Sequence, residues 1–220
     1  MVNDAETLGI DPAAGHPERA LALGYAPAGA RAGVTAAFAL DATLARLALG
    51  TRDPMVAQLR LTWWYESLAN LHLGETAGQP ILRALASSGA DGKALAIMEE
   101  GWERLLGTPE DDELAAFARA RGVLFHETGR LAGAGDAVSA AGEGWALADL
   151  ARATGDPALA ARAARLAAPL LAEAAAQRWS VRGRFLGALV HIARADLAAR
   201  HPIAAPRRVA RLAWHKLTGR

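Results

Sequence analysis

Long tracts of alanine, leucine and arginine constrain this chain more than any other feature, and Ala158 to Arg178 is the clearest of them. Alanine is the strongest helix former, with leucine and arginine close behind. The β-branched residues that pleated sheets favour are scarce. The expected fold class is therefore all-α. Hydrophobic residues make up 52% of the chain but aromatics only 5%, so the helices must pack largely through alanine and leucine. With 220 residues, a single helical domain spanning 1–220 is the simplest organisation.

Glycine and proline mark where the helices stop. Residues 1–16 show little periodicity and predict a loosely ordered lead-in. Ala37, Leu40, Leu44 and Leu47 recur at steps of three and four, which predicts a helix from about Ala30 to Leu49, stopped by Gly50. Asp53-Pro54 pairs a capping residue with proline at the first helical position. The helix that follows carries Met55, Leu59, Trp63 and Leu71 before Gly74. Further breaks fall at Gly78-Gln79-Pro80, Ser87 to Gly92, Gly107-Thr108-Pro109, Gly133 to Asp136 and Gly155-Asp156-Pro157. Pro169 predicts a kink, and a last helix follows Pro206. The pattern amounts to roughly eight to ten helices in a bundle with short connections. Leu40, Leu44, Leu59, Trp63 and Leu147 are expected to be buried.

Several functional classes are disfavoured. There are 24 basic and 23 acidic side chains, a net charge of +1, so nothing global argues for nucleic acid. Cysteine is absent, which removes disulfides, thiolate metal sites and a cysteine nucleophile. The longest apolar tracts are interrupted by charge short of a membrane span. Asp4 and Glu6 stand where a secretory signal would be basic, so the expected location is the cytoplasm, with a peripheral place at the inner face of the membrane as the variant.

Few residue clusters point to chemistry by themselves. Glu110 to Glu113 follows Pro109 at a predicted helix start, where carboxylates favour the positive end of the helix dipole. Glu99, Glu100 and Glu103 read as a solvated face beside Arg104. The histidines lack metal-ligand spacing: His126 has no partner four residues on, and His72, His191 and His201 stand alone. Gly133 to Gly144 has no following G-K-S/T and suits close helix packing rather than a phosphate loop. Trp63 and Trp64 diverge by about 100° on a helix, so one is expected in the core and the other at a cavity edge.

The segment Ala36 to Leu68 contains Phe38-Ala39-Leu40, then Asp53-Pro54, then Arg60, Leu61, Trp63, Trp64 and Leu68 in an R-L-x-W-W-x-x-x-L pattern. Tyr25-Ala26-Pro27 precedes it, and GEGWALADLAR from Gly142 to Arg152 follows in the right order and separation. These blocks resemble the squalene/phytoene synthase family. The resemblance implies an all-α isoprenoid synthase bundle around a central cavity, lined here by Phe38, Asp41, Arg46, Arg60, Trp64, Asp149 and Arg152. Family enzymes condense prenyl diphosphates, and Mg²⁺ held by carboxylates on two facing helices neutralises the leaving group. A D-x-x-x-D spacing places both carboxylates on one helix face. Aligned on these blocks, the first motif falls on Ala45, Arg46 and Leu49, and the second on Ala153, Asp156 and Pro157. One carboxylate remains of the set. No catalytic residue and no metal ligand is assigned, and Mg²⁺ is expected only if activity survives.

The chain's end carries Arg200, Arg207, Arg208, Arg211, Lys216 and Arg220 with no acidic residue after Asp196. Arg207, Arg208, Arg211, Trp214 and Lys216 suit an anionic membrane surface or an acidic partner, with Arg208, Arg211 and His215 forming the basic side of the last helix. Three functions remain open. One is a catalytically degenerate relative that binds an isoprenoid or lipid or assists assembly of a membrane complex, similar to the complex I assembly factor-like members of the family. Another is an active prenyl-diphosphate transferase. The third is a structural helical protein whose cavity has closed.

Overall fold

The computed structural model describes residues 8–50, 53–74, 78–198 and 202–220. The expectations placed on Asp4, Glu6, Arg200 and His201 lie outside these residues. Among the described residues there are ten α-helices and no strand. In chain order they are α1 (Pro17–Leu23), α2 (Arg31–Gly50), α3 (Pro54–Ala69), α4 (Pro80–Ser87), α5 (Gly92–Glu103), α6 (Asp111–Ala132), α7 (Ser139–Ala153), α8 (Pro157–Ala176), α9 (Arg184–Ala198) and α10 (Pro206–Thr218). A 3₁₀ turn, Leu71–Leu73, follows α3.

The ends are built by local chemistry. Asp53 accepts from the Met55 N–H at 2.9 Å ahead of Pro54, and Asp156 accepts from Ala158 and Leu159 ahead of Pro157. The acidic run at α6 is a helix start, where Glu113 reaches back to the Glu110 N–H at 2.8 Å. Gly133 ends α6 with φ 65°, a left-handed conformation that a side chain would strain. α8 runs continuously through Pro169.

The core lies where α2, α6 and α7 meet, with α8 and α9 packed on α7, and α3 and α5 on the other side. α6 and α7 approach closely because a Cβ on Gly142 would sit only 2.7 Å from the Gly122 carbonyl oxygen. That approach brings the middle of α6 against the polypeptide of α7, which matters below. α2 has the length and apolarity to cross a membrane, so the charge interruptions noted in the sequence do not disqualify it. Its centre is nonetheless packed inside protein: Phe38, Leu40 and Leu44 are buried, and so is Asp41.

Three sequence expectations are corrected. Leu40, Leu44 and Leu147 are buried, but Leu59 is 67% exposed and Trp63 is 38% exposed. α3 packs inward through Ala57, Leu61, Trp64 and Leu68, a stripe at steps of four, three and four that lies beside the expected one. Both faces of α3 are apolar, so periodicity alone does not choose between them. Glu99 is buried rather than part of a solvated face, while Glu100 stays exposed. Finally, the lead-in is partly built: His16 is buried, and Ile10 to Ala14 turn over the end of the bundle.

Candidate binding cavity

A cavity of about 320 Å³ opens between the lead-in, α1, α2, α6, α7 and α9. Of the seven expected lining residues, Phe38, Asp41, Arg46, Asp149 and Arg152 border it. Arg60 and Trp64 do not. They line a second cavity of about 520 Å³ together with Leu47, Trp63 and Ile81. Ile10 and Arg46 belong to both walls, so the two spaces are neighbours. The bundle therefore has not closed on itself. Trp63 and Trp64 meet edge to face at 5.1 Å and both border the second space, with Trp64 as the buried member.

The first cavity is organised around Arg121, which is 1% exposed. Its Nε donates to Asp41 Oδ1 at 2.8 Å and its Nη2 to Asp41 Oδ2 at 2.7 Å. The same Nη2 reaches Asp149 Oδ2 at 2.5 Å, and Nη1 donates to the Ala146 carbonyl at 3.0 Å. The guanidinium also lies over the rings of Trp102 and Trp145, 4.6 and 4.5 Å from their centroids. The other oxygen of Asp149 accepts from Arg19 and, at 3.1 Å, from Arg152. Burial alone would raise the Asp149 carboxyl, but Arg121, Arg19 and Arg152 outweigh it and hold it well below the usual carboxylate range. Burial likewise disfavours the charged Arg121, and the two aspartates more than restore it.

Asp41 on α2 and Asp149 on α7 thus face each other, as paired carboxylates in a metal site would, but each lies one helical turn before its motif. The motif positions Ala45, Arg46 and Ala153 also line the cavity and offer no carboxylate. Leu49 is 37% exposed. Asp156, the remaining acidic position, is committed to capping α8. The donor set does not fit Mg²⁺, which requires free carboxylate oxygens and near-octahedral geometry. The oxygens of Asp41 and Asp149 are already bonded to guanidinium groups, and Arg121 lies where a cation would bridge them.

Four guanidinium groups, from Arg19, Arg46, Arg121 and Arg152, meet three carboxylates, from Asp11, Asp41 and Asp149, around this space. Arg46 is exposed at the opening and makes no ion pair among the described residues. The arrangement suits a bound anion more than a bound cation. Sequence reasoning missed Arg19, Arg121 and Trp145. Arg121 stands two residues from Arg119 on α6, and nothing in its local sequence separates the buried one from the other.

The histidines also meet partners that spacing concealed. His191 is not isolated: its ring is 4.7 Å from that of His215, and Arg211 Nη2 lies 3.3 Å from its Nε2. Burial, then Arg211, His215 and Arg194, push the His191 imidazole down to about 3, so it is neutral. His16, Glu18 and Asp196 bring ligand atoms within 4.8 Å of one another, but Arg208 donates to both carboxylates there. That overturns the expectation of Arg208 as a surface contact, since it is 7% exposed and paired. Arg207, Arg211, Trp214 and Lys216 are exposed, with Lys216 Nζ 4.6 Å from the Tyr25 ring centroid.

A family model for squalene/phytoene synthase matches residues 13–165, which include α1 to α7 and every residue of the Arg121 cluster. No curated protein and no solved structure matches the chain. The all-α bundle and the match over most of its length place this chain in the squalene/phytoene synthase family.

Proposed function

We propose that this family member is catalytically degenerate and holds an anionic isoprenoid or lipid without metal. The observation that carries the reading is the saturation of Asp41 and Asp149 by arginine, which leaves guanidinium charge in surplus at the cavity mouth. A phosphate or diphosphate head would be met by Arg46, Arg152 and Arg19 through charge-assisted hydrogen bonds. The neighbouring space lined by Leu47, Trp63, Trp64 and Ile81 would take the apolar chain. Both cavities fall in the usual range of small-molecule sites, about 300–1,000 Å³. A role in assembling a membrane complex would rest on such binding rather than on turnover.

The competing reading is an active Mg²⁺-dependent prenyl-diphosphate transferase. Titration calorimetry with farnesyl diphosphate in EDTA separates the two. Binding should persist in the chelator, exceed that of farnesol, and weaken about tenfold or more in Arg46→Gln/Arg152→Gln, given the worth of hydrogen bonds to charged groups. Steady pyrophosphate release that requires Mg²⁺ would overturn the proposal, as would an absence of binding without metal.

A further inference from the structure

We infer that the outward face of α10, with the loop beside its end, is a docking surface for an anionic lipid bilayer. This goes beyond the cavity reading and stands whatever the cavity holds. α10 turns its polar side inward: Arg208, Leu212 and His215 are the buried residues, and Arg208 is bonded to Glu18 and Asp196. At about 100° per residue, Val209, Ala213 and Leu217 then fall on the opposite side, with Trp214 next to them. Val209 is 39% exposed, Trp214 57% and Leu217 75%. Arg207 and Arg211 flank this strip on one edge and Lys216 on the other. An apolar strip edged by cations, with tryptophan at the boundary, is the form taken by helices that lie in a membrane interface.

The neighbouring loop extends the strip. The Trp179 N–H donates to the Gly219 carbonyl at 2.8 Å, and Arg184 Nη1 to the Lys216 carbonyl at 2.6 Å. Val181, 71% exposed, is thereby held near the end of α10. Asp136, a carboxylate that reaches this loop, is engaged by the Ser180 N–H and hydroxyl.

Charge decides between a bilayer and a neutral apolar partner. From residue 174 to 220 the chain has ten arginines and lysines against Asp196 alone, although the whole chain is only +1. The rest of the chain is therefore net acidic. Of these cations Arg207, Arg211 and Lys216 are exposed along the edges of the apolar strip, and they are the complement of an anionic headgroup layer rather than of an uncharged surface. An acidic protein partner is the outcome to which a negative vesicle result would point.

The test is co-sedimentation of the full chain with vesicles of equal parts phosphatidylcholine and phosphatidylglycerol, against phosphatidylcholine alone. The full chain should pellet with the mixed vesicles at low salt, and much less with phosphatidylcholine or at high salt. Trp214→Glu/Leu217→Glu should lower the apparent affinity about tenfold or more while leaving the melting curve in place, because both side chains are exposed. Vesicles carrying brominated acyl chains should quench tryptophan fluorescence, and Trp214→Phe should still bind but lose that quenching. Failure of the full chain to pellet, or undiminished binding by the double variant, would overturn the proposal. So would quenching that survives in Trp214→Phe, which would assign the contact to exposed Trp63 on α3.

Discussion

Arg121 and Arg208 are both buried, and each clamps two carboxylates drawn from different elements, yet they stand in different company. Arg121 joins Asp41 of α2 to Asp149 of α7, and Arg19, Arg152 and Arg46 stand around the same space. Arg208 joins Glu18 of α1 to Asp196 of α9; His16 adds a 3.0 Å contact to Asp196 and the Ala204 N–H a 2.8 Å bond to Glu18. In the second cluster one guanidinium and one imidazole meet two carboxylates, while Arg207 and Arg211, which border a cavity of about 180 Å³ beside it, bond to neither carboxylate. In the first, guanidinium groups outnumber the carboxylates at an open cavity. The same device closes a helix junction in one place and leaves more guanidinium groups than carboxylates bonded together at a cavity in the other. Stoichiometry, not burial, separates them.

The largest test of this contrast is Arg121→Met, which strands the buried Asp41 and leaves one oxygen of Asp149 unpaired while Arg19 and Arg152 keep the other. It should cost about 3–5 kcal/mol in urea unfolding, as breaking a buried pair usually does. It should also abolish metal-free diphosphate binding if the variant is assayed while still folded. Arg208→Met should cost less, about 2 kcal/mol, because Asp196 keeps His16 and is 12% exposed. That variant should bind diphosphate as the parent does. A larger loss in Arg208→Met than in Arg121→Met, or a binding defect in it, would dissolve the distinction between junction and cavity.

The smallest effect concerns a buried carboxylate, Glu99, that no arginine pairs with among the described residues. Burial, then Glu103 and Glu100, push the Glu99 carboxyl up to about 7. The folded chain therefore holds a proton there that the unfolded chain releases near the ordinary glutamate value. Stability should fall as pH rises through that window, from about 4.5 to about 7, and level off above it. Glu99→Gln removes this slope. It should be more stable than the parent at alkaline pH and show no gain at acidic pH, by thermal melts in matched buffers. Equal gains at both ends would mean that Glu99 is not protonated in the fold, and that burial without arginine does not set it apart from Asp149.

Much of the fold was legible because its signals are local. Alanine-rich tracts favour helix in any context, and Asp53-Pro54, Asp156-Pro157 and Gly133 satisfy helix ends with atoms a few residues away. The cavity was half legible. The resemblance led to Phe38, Asp41, Arg46, Asp149 and Arg152, and the same alignment exposed the lost motif positions. Arg60 and Trp64 line the neighbouring space instead, because the register of α3 against its neighbours is not a property of α3.

By itself the sequence determined that the chain is helical, where most helices begin and end, and that all but one of the carboxylate positions aligned on the matched blocks carry other residues. Only the tertiary structure decided which apolar side of α3 turns inward, and that α10 buries Arg208 and shows Trp214. It alone put Arg121 between aspartates that are 80 and 28 residues away in the chain. The physical reason lies in range. Propensity and capping act within a turn or two of helix and are written in adjacent residues. A buried charge is tolerable only beside its counter-charge, and that partner is supplied by whichever helices the packing brings together.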